Sequence, residues 1–363
     1  MKKFKILVIN PGSTSTKVAI FCDETCEFKK TIEHSVEELS QFNRVIEQYE
    51  MRKKAIMDSI NEAGYKIEEF DAIAARGGIL EPVESGTYLI DENVANYLKY
   101  ESKVDHASNL APVIAFEISK EYNIPAFLTD PVSVDEFSEL ARFSGIKELQ
   151  RKSLSHALNM KTVGRKVAKE LGKKYEECNF VIAHLGGGIS VSAHEKGKMI
   201  DVNNANDEGP FSAERTGELP VGDVVKLAFS GKYTKSELKK RYTKQGGLVA
   251  YLGTNNLREI LEKAKTDPKV ELVLKAMVLQ IAKEIGGMCT VLKGQVDAII
   301  LTGGMTKNPE FVEMIKEYIS KFALVMVVPG ENEMEGLAFG ALKALKGEIR
   351  PKIYSEKVKT WAK

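Results

Sequence analysis

The chain has 363 residues, which is long for one hydrophobic core and suits two domains. Its 52 basic and 51 acidic residues give a net charge of +1, so the composition indicates no basic surface for nucleic acid or an anionic membrane. Four scattered cysteines suit reduced thiols rather than a disulfide framework, and no stretch approaches the roughly 18 apolar residues of a membrane span. We therefore expect a soluble cytoplasmic protein that binds neither nucleic acid nor membrane.

The first part of the chain predicts a strand, a polar turn and a second strand, followed by helices and strands in alternation. An apolar run at residues 4–9 leads into the turn at residues 10–16, after which β-branched residues resume. Apolar residues three or four positions apart predict helix within residues 36–64. A buried strand is predicted at residues 71–75 and is followed directly by RGG. Another is predicted within residues 125–134, where the strand ends at TDP.

The second half begins on the same plan. A helix is predicted from His156 to Gly172, and residues 179–197 then give the apolar run FVIAHL, three glycines and an alternating second strand. Helical patterns follow in NNLREILEKAK, in the apolar segment PKVELVLKAMVLQIAKEIGGMCTVL and in PEFVEMIKEYISKF, and a buried strand is predicted in DAIILTGGM. The matching hairpins indicate a duplicated unit, and the alternation of strands with helices predicts an α/β fold.

Three polar turns at the ends of buried strands are candidates for phosphate binding. The chain has no GxxxxGK[ST] motif, and HLGGGIS is followed by a strand rather than by the helix that a dinucleotide fingerprint requires. The turns at residues 10–16, 186–190 and 302–306 offer backbone N–H groups that can surround phosphate oxygens. For any one of them alone an ordinary hairpin is the favoured interpretation, but three together favour nucleotide binding.

Each charged residue beside these turns has two possible roles. Asp130 ends a strand, where it could hold Mg²⁺ or cap the turn. Arg76 and Arg215 could each bind a carboxylate or phosphate with two parallel hydrogen bonds, or form a surface ion pair. Arg76 directly follows a buried run, which favours anion binding for that residue, whereas for Arg215 alone the surface ion pair is favoured.

The five histidines carry no assignment by themselves. His184 ends a buried strand beside the glycine turn, and His156 lies near a helix start. His34 and His194 are expected at the surface, and any one of the five, His106 included, is by itself expected to be structural.

Together these segments resemble the acetate/butyrate kinase family, within the wider group that shares the actin/Hsp70/sugar-kinase ATPase fold. NPGSTSTK is similar to the family's first phosphate motif, HLGGGIS to its second and LTGGMTKN to its adenosine motif, and FLTDP carries its acidic residue at the Mg²⁺ site. AARGG, HASNLAP, SHALN and ERTGELP occur in the family's order, so the resemblance runs nearly end to end.

The resemblance implies an α/β, duplicated actin-like (ribonuclease H-like) ATPase fold, with two domains around a nucleotide cleft. Residues 1–150 with 335–363 would form the N-terminal domain on the carboxylate side, and residues 151–334 would form the nucleotide-binding C-terminal domain. A homo-oligomer, a dimer or larger, is implied as well.

The resemblance also implies roles by position. The catalytic residues would be Arg76, Arg215, His156 and Asp130. The carboxylate substrate would contact Arg76, Gly77, Gly78 and His106. The nucleotide would contact Asn10, Ser13, Lys17, His184, Gly186, Gly187, Gly188, Gly303 and Gly304. Mg²⁺ would lie near Asp130 and Glu333, with Glu331 and Glu335 as alternatives to Glu333.

The implied reaction is reversible transfer of the γ-phosphoryl group of ATP to a short-chain carboxylate, with Mg²⁺ as cofactor and ATP or ADP as substrate. Butyrate is the first choice, because glycines at 77 and 78 and the pair Leu154-Ser155 replace bulkier residues of acetate kinases, unless neighbouring loops close that space. Acetate, propionate or a branched acid are alternatives, and an actin- or Hsp70-like ATPase or a sugar kinase are rivals. A carboxylate is already ionised at neutral pH, so we expect direct in-line transfer without a general base or a phosphoenzyme.

Overall fold

Groups of strands and groups of helices follow one another along residues 2–354, the part of the chain that the computed structural model describes. The strands are β1 (Lys5–Pro11), β2 (Ser15–Cys22), β3 (Thr25–Glu33), β4 (Ala72–Arg76), β5 (Thr87–Leu89), β6 (Ala126–Thr129), β7 (Asn179–Leu185), β8 (Ile189–Glu195), β9 (Lys198–Val202), β10 (Ala298–Gly303), β11 (Val325–Pro329) and β12 (Lys352–Ile353). The helices are α1 (Val36–Ser40), α2 (Tyr49–Glu62), α3 (Glu92–Asn96), α4 (Leu110–Tyr122), α5 (Ala157–Glu170), α6 (Val221–Ala228), α7 (Lys235–Thr243), α8 (Gly247–Leu252), α9 (Leu257–Ala264), α10 (Pro268–Val291), α11 (Pro309–Ile319) and α12 (Glu333–Leu345).

The first of two structural units comprises residues 2–134 and 332–354 of the described chain. Its sheet has the order β12-β5-β6-β4-β1-β2-β3. Strands β1, β4 and β6 run parallel, whereas β2 and β3 extend the sheet antiparallel from β1. Strand β1 is buried along all its length after Lys5 and contacts both α4 and α12, as its continuous apolar run predicts.

The second unit, Asp135–Glu331, repeats this arrangement. Its sheet has the order β11-β10-β7-β8-β9, with β7, β10 and β11 parallel and with β8 and β9 antiparallel. These five strands match β6-β4-β1-β2-β3 of the first unit in both order and direction. The long helix α10 supplies much of the core against β7 and β8. The duplicated unit predicted from the two hairpins is therefore confirmed at the level of sheet topology.

Helix α12 lies unusually close to the first sheet because it has a glycine at the contact. A Cβ atom on Gly340 would lie 2.1 Å from Thr129 Oγ1 and 2.8 Å from Thr87 Oγ1. The two threonine hydroxyls bond each other at 3.1 Å beneath the helix. Any larger side chain at 340 would push α12, and with it the first turn that carries Glu333, away from the strand ends.

The boundary between the units differs from the sequence-based division at residues 150/151 and 334/335. Residues 135–150 belong with the second unit, because Glu136 contacts Lys161 at 2.7 Å and accepts a hydrogen bond from Met199 N at 2.9 Å. Ser138 N also donates a hydrogen bond to Ile200 O at 2.9 Å. These contacts join residues that are distant in the sequence, and no change in composition near residue 135 indicates the boundary. Residues 355–363 of the predicted first domain lie outside the described residues.

Two histidines expected at the surface are buried. His34 is 8% exposed and its Nε2 lies 2.8 Å from Thr16 Oγ1. His194 is fully buried in β8, where burial lowers its pKa well below the usual value. The expectation for His194 was wrong because strand β8 lies between two others and both its faces are covered. The expectation for His34 was wrong because its ring contacts Thr16 and its N–H binds Thr14 O at 2.8 Å, which holds it against the β1–β2 hairpin. No helix in residues 2–354 has the length and apolar content of a membrane span.

Candidate active site

Three predicted site residues meet at the carboxyl ends of the parallel strands in the first unit. Asn10 lies near the end of β1 and Arg76 ends β4, which is its parallel neighbour. Glu333, at the start of α12, accepts a hydrogen bond on Oε2 from Asn10 Nδ2 at 2.8 Å and pairs with Arg76 Nη1 at 3.1 Å. The same Arg76 nitrogen lies 3.3 Å from Asn10 Oδ1. A carboxylate and an amide therefore hold the guanidinium through one of its terminal nitrogens.

The structure distinguishes the three acids proposed near the metal. Glu333 is 5% exposed, whereas Glu331 is exposed and Glu335 is half-buried. The positive end of the α12 dipole stabilises a carboxylate in the first turn. The observed role of Glu333 is to hold Arg76 and Asn10, and its role toward Mg²⁺ stays a prediction.

Asp130 directly follows β6 and is 1% exposed. Its Oδ1 accepts hydrogen bonds from Ser85 Oγ at 2.6 Å and from Gly86 N at 2.8 Å. Its backbone has a φ of 41°, which is uncommon for a residue other than glycine. Strand β6 pairs with β4 so that Thr129 lies opposite Arg76, which brings Asp130 to the same sheet edge as the arginine. The turn-capping role is thus observed, and the metal role stays a prediction.

The first predicted phosphate turn connects β1 and β2. Lys17 lies directly opposite Asn10 in the hairpin register, so their side chains share one face. Ser13 is exposed in the turn, and its carbonyl oxygen accepts a hydrogen bond from Arg52 Nη2 at 3.2 Å. Arg52 was not identified from the sequence, although an arginine on the apolar face of a predicted helix is a signal that could have found it.

The space beside Gly77 and Gly78 is already filled by the protein. A Cβ on Gly77 would lie 2.5 Å from Pro131 Cβ, and one on Gly78 would lie 2.7 Å from both Leu98 Cδ2 and Asn109 Oδ1. The space that a side chain at 77 or 78 would occupy is thus filled by other residues. The expectation that these glycines leave that space for a longer acyl tail is therefore wrong. Close packing at the end of β4 requires them, and backbone contact with a substrate stays a prediction.

His106 precedes a short 3₁₀ turn, Ala107–Asn109, and is exposed. Its Nδ1 accepts a hydrogen bond from Ser108 N at 3.1 Å and lies 2.8 Å from Ser108 Oγ. The structure therefore shows a capping role for His106, and contact with the acyl group stays a prediction.

In the second unit, two predicted histidines stack on each other. The rings of His156 and His184 are 3.9 Å apart and nearly parallel, at 7°. His156 Nδ1 lies 2.9 Å from Ser190 Oγ, and His184 Nδ1 lies 2.9 Å from Asn159 Nδ2. An amide nitrogen only donates, so His184 Nδ1 accepts and the proton of the neutral ring is on Nε2. Asn159 Nδ2 also donates to Thr302 Oγ1 at 3.2 Å, which ties the pair to the end of β10.

Arg215 lies against the glycine turn that joins β7 and β8. A Cβ on Gly188 would lie 2.6 Å from Arg215 Cζ, so the guanidinium occupies the place of a side chain at 188. Arg215 Nη1 donates to Ala205 O at 3.0 Å, and Ser212 Oγ binds both Arg215 N at 3.1 Å and Gly187 O at 2.6 Å. Burial lowers the pKa of Arg215 from its usual value. The structure therefore brings together Arg215 and the turn of Gly186, Gly187 and Gly188.

The predicted adenosine turn follows β10 and includes a short 3₁₀ helix, Gly304–Lys307. Gly303 has a φ of 97°, and a Cβ there would lie 2.3 Å from Leu185 O, so the residue packs β10 closely against β7. Gly304 is exposed and has no described atom within 4 Å of its Cβ position. Of the two glycines, only Gly304 therefore borders open space.

The residues proposed for Mg²⁺ fit that ion in chemical type. Asp130 and Glu333 supply hard carboxylate oxygens, and Mg²⁺ sites commonly use one or two carboxylates with waters and substrate phosphates. Among residues 2–354 there is no group of three or more His, Cys, Asp or Glu that could hold a metal ion. The donor set thus suits an ion held partly by a nucleotide.

Comparisons with known proteins identify the family. A model of the acetokinase family matches residues 144–334. "Probable butyrate kinase" of Thermotoga petrophila is 59% identical over 351 residues, which cover 97% of this chain and 98% of that protein. "Probable butyrate kinase 1" of Thermotoga maritima is 58% identical with the same coverage. The chain belongs to the acetokinase family.

Solved structures confirm the acetokinase fold expected from the sequence. The crystal structure of Porphyromonas gingivalis acetate kinase has a TM-score of 0.78 at 19% identity, over 94% of this chain and 100% of that chain. A propionate kinase from Francisella tularensis subsp. tularensis has a TM-score of 0.72 at 20% identity, over 93% and 98% of the two chains. The chain therefore has the duplicated actin-like α/β fold.

Proposed function

We propose that this acetokinase-family protein is a butyrate kinase, which transfers the γ-phosphoryl group of ATP reversibly to a short-chain carboxylate and releases ADP and an acyl phosphate. The observation that carries the proposal is the similarity, over nearly the whole chain, to two proteins named as butyrate kinases. The arrangement of cationic and hydrogen-bonding side chains in each unit supports it.

In the first unit, Arg76 is proposed to bind the carboxylate. Its contacts to Asn10 and Glu333 both use Nη1, so Nε and Nη2 form the edge that suits a two-point contact with a carboxylate. Glu333 fixes the direction of the guanidinium and reduces its freedom before substrate binds. This preorganisation favours binding because less side-chain entropy is lost.

In the second unit, Arg215 and His156 are proposed to neutralise negative charge on the phosphoryl group in transit. Arg215 is half-buried and burial lowers its pKa, and a fixed charge that is partly shielded from water interacts more strongly with a developing negative charge. Stacking on His184 and the contact with Ser190 fix the plane of the His156 ring. His184, with its proton on Nε2, is proposed to donate to a phosphate oxygen at the glycine turn.

Asp130 and Glu333 are proposed to hold Mg²⁺, which when bound supplies positive charge to the phosphates of the nucleotide. The carboxylate of the substrate is ionised at neutral pH and is itself the nucleophile. Its oxygen forms a bond to the γ-phosphorus while the bond to the bridging oxygen of ADP breaks, so no proton is transferred. We therefore propose direct transfer, and ADP–ATP label exchange without carboxylate at the turnover rate would contradict it.

The acyl preference and the rivals are tested together. Initial rates with MgATP and unbranched or branched carboxylates, with hydroxylamine trapping of the acyl phosphate, should give the highest kcat/KM at butyrate. A maximum at acetate, propionate or isobutyrate would keep the reaction and replace the substrate. ATP hydrolysis without any acyl hydroxamate would favour an actin- or Hsp70-like ATPase. A sugar kinase needs a carboxylate that accepts the proton of the sugar hydroxyl. The candidate for that role, Asp130, accepts hydrogen bonds from Ser85 Oγ and Gly86 N.

We further propose that the protein is a homo-oligomer, a dimer or larger, in the cytoplasm where ATP is available. The resemblance to the family is the basis for the oligomer. The four cysteines, which form no disulfide in the described residues, are the basis for the location. Light scattering after gel filtration should give a mass of at least twice 40.3 kDa. A monomeric mass at assay concentration would contradict the proposal.

A further inference from the structure

Arg52 is the largest fully buried side chain in the described part of the protein, at 0% exposure. It lies on α2 with Ile56, Ser59 and Ile60, at the helical spacing of a core-facing stripe. Arginine is rarely buried to this extent unless its charge is compensated, so its place on this stripe needs a physical reason.

Its hydrogen bonds go to the turn that joins β1 and β2. Arg52 Nη1 donates to Ser15 O at 3.0 Å and to Thr16 Oγ1 at 3.0 Å, and Nη2 donates to Ser13 O at 3.2 Å. The remaining contact is from Nε to Gln48 Oε1 at 3.0 Å, one turn earlier on the chain. A single guanidinium therefore connects three positions of the predicted phosphate turn.

No carboxylate neutralises this charge among residues 2–354, since all four acceptors are uncharged. Burial lowers the pKa of Arg52 to about 10, so the group stays protonated at neutral pH. Its charge also lowers the pKa of His34, after the larger effect of burial. Thr16 Oγ1 accepts from Arg52 Nη1 and lies 2.8 Å from His34 Nε2, so Arg52, Thr16 and His34 form one buried hydrogen-bond network.

The bonds also fix the direction of the backbone. In a planar trans peptide, the N–H of one residue points opposite to the C=O of the residue before it. Because the carbonyl of Ser13 faces Arg52, the N–H of Thr14 points away from it, on the exposed side of the turn. His34 N binds Thr14 O at 2.8 Å, so the N–H of Ser15 is likewise directed away from His34. Within residues 2–354, no group accepts a hydrogen bond from the N–H of Ser13 or Thr14.

We infer that Arg52 is a positioning residue for nucleotide phosphate: it holds the turn with its N–H groups outward and places an uncompensated positive charge behind them. This inference rests on the proposed function, because it requires the turn to receive phosphate. Backbone N–H groups with a fixed cation behind them form a site for an anion. Removal of the charge should therefore weaken nucleotide binding more than carboxylate binding.

The test is calorimetric binding of MgADP to the full-length protein, with steady-state KM values for ATP and butyrate. Arg52→Ala should raise the MgADP Kd at least tenfold, equivalent to about 1.4 kcal/mol, with a smaller rise in the KM for butyrate. Guanidinium ion at a non-denaturing concentration should restore MgADP binding, whereas urea, its uncharged analogue, should not. Lys53→Ala is the matched control: it removes one positive charge from the next position of α2, where Lys53 pairs with Glu121 at 3.3 Å, and should leave the Kd unchanged.

A folded Arg52→Ala protein with wild-type MgADP affinity would overturn the inference, as would rescue by urea equal to rescue by guanidinium. Arg52→Lys keeps the charge but loses the planar set of donors. If the alanine variant does not fold, MgADP binding is measured with this lysine variant instead. A several-fold rise in its Kd is expected, and an unchanged Kd would again overturn the inference. If the wild-type protein itself fails to bind MgADP, the proposed function is contradicted instead.

Discussion

Gly188→Ala should damage activity while leaving stability nearly intact. The new Cβ would lie 2.6 Å from Arg215 Cζ, and an ordinary contact needs about 3.4 Å, so the guanidinium must move by roughly 0.8 Å. The end of an arginine side chain can move at small cost, and the loss of its bond to Ala205 O costs about 1 kcal/mol. Displacement of a charge-neutralising group by nearly 1 Å can lower the rate about 100-fold.

The assay is kcat by acyl hydroxamate formation, with the melting temperature measured beside it. In an Arg215→Ala background, Gly188→Ala should have no further effect on kcat, because the group that it displaces is absent. Gly287→Ala, at an exposed helix position with no described atom within 4 Å, is the control for a glycine substitution and should keep full activity. Wild-type kcat in Gly188→Ala, or equal losses of kcat with and without Arg215, would refute the proposed role of Arg215.

Three further predictions follow from named contacts. Arg76→Lys should raise the KM for butyrate about tenfold or more, since it loses the two-point contact, and an unchanged KM would remove Arg76 from carboxylate binding. Gly340→Ala should destabilise the protein by about 2 kcal/mol or more, because its Cβ would lie 2.1 Å from Thr129 Oγ1; Thr129→Ala in the same chain should restore part of the melting temperature, and no recovery would refute the clash. Glu284 has its pKa raised from 4.5 to about 7, first by burial and then by Glu218. Ionisation of Glu284 therefore lowers the free energy of unfolding as the pH rises through about 7. Glu284→Gln should raise the free energy of unfolding, measured with denaturant, by at most about 3 kcal/mol at pH 9 and by almost nothing below pH 4.5. An equal gain at both pH values would contradict that explanation.

Local patterns in the sequence were enough to predict the elements that carry the site. The two apolar runs with polar turns form the hairpins β1–β2 and β7–β8, and their similarity predicted the duplicated unit that the matching sheet orders confirm. The ends of β4 and β6 were predicted because strand-ending signals are local: Arg76 and Asp130 follow apolar runs directly. These features depend on neighbours within a few residues, which a single sequence displays.

Contacts between distant segments were not predictable in the same way. Nothing near Glu333 in the chain indicates that it meets Asn10, 323 positions away, and nothing near Arg52 indicates the turn of residues 13–16. The sequence predicts open space beside the glycines at 77 and 78, whereas Pro131 and Asn109 from other segments fill it. Long-range packing decides each of these cases, and it is set by the whole fold rather than by local sequence.

The most direct test of the central claim is the product ratio by ³¹P NMR with MgATP and butyrate. Transfer to the carboxylate predicts that butyryl phosphate and ADP appear in a 1:1 ratio in the initial phase, and that Arg76→Ala lowers both together. ADP accompanied by an equal amount of inorganic phosphate from the start, with no butyryl phosphate and no dependence on butyrate, would contradict the claim.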